Sequence, residues 1–172
     1  RLVIVGGGVV GCSMAQAFSR MGSKVYLVEM LDRILPLEDK FVSDFIEDIF
    51  KNENIEVVTN TKVEEIIIKD NKKYVLSSQK ENLDIKFEFD EILFSIGRKA
   101  RTKGFGLEKL KIDLRKDGTV ATNEYLQTNY PNIYACGDVT GPYQLTHASS
   151  HQAWFCAVNS LFGTFKKFKV NY

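Results

Sequence analysis

The feature that most constrains this chain is a run of glycines where one hydrophobic period gives way to another. Leu2 to Val5 is a short apolar stretch ending in Gly6, Gly7 and Gly8; after it Val9, Val10, Met14, Ala17, Phe18 and Met21 recur at helical spacing as far as Gly22. Strand, tight turn and helix follow in that order, and Gly6, Gly8 and Gly11 stand in the pattern G-x-G-x-x-G. In this setting the first glycine permits the turn, the second lets backbone approach a pyrophosphate, and the third lets the helix lie close to a sheet. The phosphates would sit at the helix start, beside Val9 and Val10, where unpaired N–H groups and the helix dipole favour negative charge. Lys24 to Val28 reads as a second strand, closing a βαβ unit of about 30 residues. It ends at Glu29, 18 residues beyond Gly11. A carboxylate there can accept hydrogen bonds from both ribose hydroxyls and would repel a 2′-phosphate, which favours NAD over NADP. Met30 follows it. Arg33, four residues on, pulls the other way, since an arginine nearby can accommodate that phosphate.

Further along, Glu38 and Asp39 favour a helix start, and Phe41, Val42, Phe45, Ile46, Ile49 and Phe50 continue a 3.6-residue stripe to about Lys51 and Asn52. Ile55 to Val58 reads as a third strand. The period then changes: Lys62 to Ile68, Lys72 to Ser78 and Leu83 to Phe89 predict an antiparallel meander with one wet face, on which Leu83, Ile85, Phe87 and Phe89 alternate with polar residues. Ile92 to Ile96 resembles a strand buried on both faces and stops at Gly97 and Arg98. Residues Lys99 to Thr128 are expected to be loop, with a turn at Lys116 to Gly118; Asn132 to Cys136 reads as another short strand ending at Gly137 and Asp138. A last helix is expected from Thr146 to Phe162, closed by Gly163, with Trp154, Phe155 and Phe162 as core. The pattern predicts an α/β, Rossmann-like three-layer domain with a parallel sheet and an antiparallel meander over residues 1–98. The composition shifts there, and a second segment covers 99–172.

Composition narrows the function. Basic residues number 23 and acidic ones 22, without a long run of like charges, which argues against nucleic acid as a partner. No apolar stretch approaches the roughly 18 to 20 residues that would span a bilayer, and no signal-peptide order is present, so the expected location is the cytoplasm, away from membranes. Cys12, Cys136 and Cys156 are odd in number and widely separated, with neither a disulfide framework nor zinc-ligand spacing; they read as small apolar residues rather than a redox pair, and no metal site is expected. Arg1 in place of Met, directly before a strand, suggests a piece of something longer.

With these residues in hand, the chain resembles the flavin-dependent pyridine nucleotide-disulfide oxidoreductases, most closely their dihydrolipoamide dehydrogenase and mercuric reductase branch. The similarity runs through VIVGGGVVGCSMAQAFSRMGSKVYLVEMLDRILPLED, FDEILFSIGRKA and TNYPNIYACGDVTG. The resemblance implies an oxidoreductase that passes hydride between NAD(H) and FAD, with a disulfide or related acceptor in the parent enzyme. It assigns Val63 and Gly97 to the NAD site beside the glycine loop, and Met14 with Ser95 to Arg98 as walls for the nicotinamide. Gly137 and Asp138, with Leu145, Thr146 and His147 at the next helix start, are assigned to FAD, the Asp meeting the ribityl chain. By the same resemblance the redox cysteine pair would precede Arg1, and the dimerisation domain with its His-Glu pair would follow Tyr172. No catalytic residue is therefore expected here, the fragment alone should be inactive, and the parent is expected to be a homodimer. Ser13 stands where the family commonly has a glutamate near the flavin, and GRKART replaces a segment that usually holds proline and asparagine. The alternative readings are an NADH oxidase or peroxidase of the same architecture, or a non-catalytic NADH-binding module.

Overall fold

The computed structural model describes residues 1–79 and 82–168, with the side chains of 79 and 82–85 excepted. The chain divides into two compact units, Arg1–Gly97 and Arg98–Tyr172. The first opens with β1 (Leu2–Val5), α1 (Val9–Arg20), β2 (Val25–Val28), α2 (Lys40–Asn52) and β3 (Ile55–Val58). The meander β4 (Thr61–Lys69), β5 (Lys72–Gln79) and β6 (Asn82–Phe89) follows, and then β7 (Glu91–Phe94).

The four short strands form a parallel sheet in the order β3-β2-β1-β7, and β4-β5-β6 form an antiparallel sheet. Side chains alternate across β1, so one strand serves two cores. Leu2 and Ile4 join Val25, Leu27 and Ile55 against Cys12, Ala15, Ile34, Leu35 and Phe50 on the helical side. Val3 and Val5 join Val28 against Val75, Phe87 and Phe89 of the meander. Helices, parallel sheet and meander are thus three layers, and each fully buried Val, Leu or Ile contributes about 1.5–3 kcal/mol of transfer free energy. Fold class and meander agree with the sequence. The expected inward places of Leu83 and Ile85 lie outside the described side chains.

Several expectations need correction. The buried face of α1 is Gly11, Cys12 and Ala15, while Val9, Val10, Met14 and Met21 are exposed. Small residues face the sheet because the helix lies too close for larger ones. On α2, Phe50 is buried and Val42, Ile46 and Ile49 pack beside it, but Phe41 and Phe45 stack on each other in solvent with centroids 6.3 Å apart. The expected stripe was wider than the face the sheet can cover. Strand β7 is an edge strand: Leu93 packs beside the helical-side core and Ile92 beside the meander-side core, both only half-buried, while Phe94 and, just beyond the strand, Ile96 are exposed.

The second unit holds α3 (Leu107–Leu110), inside the expected loop, a 3-10 turn at Gly137–Val139, and α4 (Thr146–Phe162). The expected turn at Lys116 to Gly118 is present, with Arg115 and Thr119 hydrogen-bonded across it and Leu114 bridged to Val120. No regular strand forms over 132–136; Tyr134 makes a single antiparallel bridge with Gln127, because no neighbouring strand is there to extend a ladder. Helix α4 turns Gln152 and Asn159 inward and leaves Trp154 and Phe162 exposed, against expectation, while Phe155 is half-buried and packs edge-on against His151 and Phe168. Its inward face meets backbone amides and carbonyls, which an apolar side chain would leave unpaired.

Candidate functional site

The glycine turn sits where β1, flanked by β2 on one side and β7 on the other, runs into α1. This is the switch point of the sheet, where open α/β sheets bind ligands beyond the strands' carboxyl ends. Gly6 has φ +105° and donates its N–H to Val28 O at 2.8 Å; a Cβ there would stand 2.6 Å from the Ser95 carbonyl oxygen. A Cβ on Gly11 would stand 1.8 Å from Gly6 O, so the third glycine is fixed by the turn itself. Gly8 differs from both. Its φ of −73° suits any residue, and a Cβ there would meet nothing within 4 Å. It precedes α1 as its N-cap without a side-chain cap, leaving the first-turn N–H groups without an intrahelical acceptor, beside open space and at the positive end of the helix dipole.

Glu29 is buried beneath this turn, 8% exposed. Its Oε2 accepts the Gly7 N–H at 2.6 Å and its Oε1 accepts the Leu31 N–H at 2.8 Å, so one lone pair remains on each oxygen. Two braces escaped the sequence reading. Gly7 has no room for a side chain, since a Cβ would lie 2.9 Å from Ile34 Cγ2. Ser95 Oγ donates within 2.9 Å of Gly6 O and 3.0 Å of Val5 O, locking β7 to the turn. A small hydroxyl at the end of a strand was the available signal for the second. Arg33 is spent on its own loop, donating to Pro36 O at 2.9 Å, Glu38 O at 3.0 Å and Ser43 Oγ at 3.3 Å. The Cys12 thiol donates to Gly7 O at 3.3 Å, and burial, reinforced by the Glu29 and Glu47 charges, pushes its pKa up to about 12.

Hydrogen bonds and van der Waals contacts thus gather Gly6, Gly11 and Glu29 into one constellation, with Gly8, Val9 and Val10 at its open edge and Met30 exposed beside Glu29. Val63 is partly buried beside the meander-side core, and Gly97 is exposed at φ +103°. In the second unit, Gly137 donates to Gln152 Oε1 at 2.6 Å, and Asp138 Oδ2 accepts from Arg98 Nη1 at 2.9 Å. Arg98, expected as a nicotinamide wall, is paired there; the Asp138 side chain is 41% exposed. Leu145, Thr146 and His147 are exposed at the start of α4, which has no side-chain cap. Among the described residues no cluster of His, Cys, Asp and Glu could hold a metal, and no helix is long and apolar enough to cross a membrane.

A parallel sheet whose central strand enters a glycine turn, braced by an acidic residue at the end of the neighbouring strand, defines a Rossmann-like fold. The chain belongs to the pyridine nucleotide-disulphide oxidoreductase family, which it matches over residues 1–153. It is 38% identical over 156 residues to a dihydrolipoyl dehydrogenase of Bacillus subtilis, covering 91% of this chain and 33% of that protein. With the dihydrolipoyl dehydrogenase of Acholeplasma laidlawii it shares 40% identity over 151 residues, 88% of this chain and 43% of the relative. The HOCl-induced flavoprotein disulfide reductase RclA from Escherichia coli superposes with a TM-score of 0.84 at 30% identity, over 96% of this chain and 37% of that one. The chain spans about a third of the length of the Bacillus subtilis relative.

Proposed function

We propose that residues 1–98 are the NAD(H)-binding domain, and residues 99–172 an incomplete return segment of the FAD-binding domain, of a flavin-dependent oxidoreductase. Bound NAD(H) and FAD supply the hydride donor and acceptor. The chain's own part is positional. The amides at Gly8, Val9 and Val10 receive the diphosphate, and the free lone pairs of Glu29 accept from the adenosine ribose. In the second unit, Asp138 retains acceptor capacity for a flavin's polyol chain, and the start of α4 offers unpaired amides. The dihydrolipoyl dehydrogenase relatives, named for oxidation of a dithiol, support a dithiol–disulfide couple as the substrate of the whole protein; its assembly in this reading is a homodimer. The free thiols fit a cytoplasmic setting.

The observation that carries this reading is the empty space beside Gly8 at an uncapped helix start, with the Glu29 carboxylate fixed to the same turn. Gly8→Val tests it directly, because the side chain fits the free turn but fills the place a diphosphate needs. The variant should stay folded, losing about 1 kcal/mol of stability to the poorer N-cap, and lose NADH affinity by about tenfold or more in calorimetry. Unchanged NADH affinity would remove the diphosphate from this turn. NADPH should bind the parent more weakly than NADH, through repulsion by Glu29.

A further inference from the structure

Cys136 and Cys156 are 20 residues apart in sequence, yet the fold brings their side chains within interaction distance. The inward face of α4 tracks the segment before the 3-10 turn: Gln152 accepts from the Gly137 amide at 2.6 Å, the Cys156 thiol lies 3.7 Å from Ala135 O, and Asn159 O accepts from the Tyr134 hydroxyl at 3.2 Å. Cys136 stands between the first two of these contacts. It is extended, with φ −146° and ψ 163°, and lies two residues from Tyr134, which puts it on the side that faces α4. Cys156, one turn beyond Gln152, is the α4 residue nearest its level. Cys136 also lines a cavity of about 330 Å³, among Phe105, Ile112, Val120, Ile133 and Val139.

We propose that Cys136 and Cys156 form a dithiol site that closes to an intramolecular disulfide by exchange with a small uncharged disulfide admitted to this cavity. The Cys136 thiolate attacks one sulfur of the reagent, forming a mixed disulfide and expelling one thiolate. The Cys156 thiolate then attacks Cys136 sulfur, expelling the second. Two cysteine thiols are oxidised, one small disulfide is reduced to two thiols, and the two protons pass through solvent to the departing sulfurs. Burial and the neighbouring Cys136 hold the Cys156 thiol up to about 12, so the closing step is slow at neutral pH. The product staples α4 to the Gly137–Asp138 turn. Cys12, buried in the other unit, takes no part.

The test treats the 172-residue chain with bis(2-hydroxyethyl) disulfide at mildly alkaline pH, alkylates the remaining thiols, and reads intact mass and peptide maps. The expected product is lighter by two hydrogen atoms, cross-linked between the peptides holding Cys136 and Cys156, with Cys12 alkylated only after unfolding. Amide exchange at Gly137 and Thr140 should slow in the product. Cys156→Ser should instead retain a mixed disulfide on Cys136, and Cys136→Ser should give no cross-link. A parent that stays unreacted, accumulates a mixed disulfide without closing, or cross-links through Cys12 or between chains would overturn the proposal.

Discussion

The Glu29 carboxylate holds the Gly7 amide at 2.6 Å, so the residue proposed to accept from a ribose is also the brace of the turn proposed to receive the phosphates. Its second oxygen takes the Leu31 amide, and the group is almost fully buried. Glu29→Ala should therefore weaken NADH binding and also unpair two amides, lowering stability by about 1–3 kcal/mol. Urea unfolding beside calorimetric titration separates the two effects. A variant as stable as its parent would show that the brace contributes nothing.

Gly11 and Gly8 should respond unequally to the same methyl group. Gly11→Ala drives a Cβ into the Gly6 carbonyl oxygen, and overpacking of this kind costs about 1–3 kcal/mol or more. Gly8→Ala costs less, about 0.5–1 kcal/mol, since its Cβ enters open space and the loss is only that of a better N-cap for a poorer one. Thermal midpoints of the two variants check the contrast; equal losses would contradict the geometry.

Arg33 is spoken for by Pro36 O, Glu38 O and Ser43 Oγ. Arg33→Ala should lower the thermal midpoint, by about 1–2 kcal/mol of lost hydrogen bonding, without weakening NADPH binding further. If NADPH affinity alone falls, the guanidinium leaves its loop to meet the 2′-phosphate.

Burial raises the Cys12 pKa from 9.0 to about 12. Below pH 9 the thiol is protonated in folded and unfolded chains alike, and its contribution to stability is fully present. Above that the unfolded chain sheds the proton first, so stability falls as pH rises from 9 towards 12. The urea midpoint should drop over this window, and Cys12→Ala, though less stable at pH 7, should drop less steeply. Equal slopes would place the effect elsewhere.

Much of the first unit was legible because its signals are local. A change from strand to helical period across Gly6 to Gly11, and alternation through the meander, follow from backbone geometry that neighbouring residues specify for themselves. Which way a helix turns is not local. Val10 and Met14 look like core by spacing, yet α1 presents Gly11 and Ala15 to the sheet because only small residues permit that approach. Phe41 and Phe45 look equally apolar and find no cover. In the second unit the hydrophobic pattern misled, since the buried face of α4 is built from Gln152 and Asn159 to satisfy backbone polar groups contributed by distant segments.

The sequence by itself determined the strand, glycine turn and helix, the acidic residue closing the unit, and so the kind of ligand crevice available. Only the tertiary structure decided that Glu29 binds the turn it serves, that Arg33 is withdrawn, that Ser95 ties the edge strand to Gly6, and that Cys136 meets Cys156. Each of these joins groups from different segments of the chain. Hydrogen bonds and thiol contacts act over a few ångströms in space, whatever the separation in sequence, so the backbone had to fold before those partners existed.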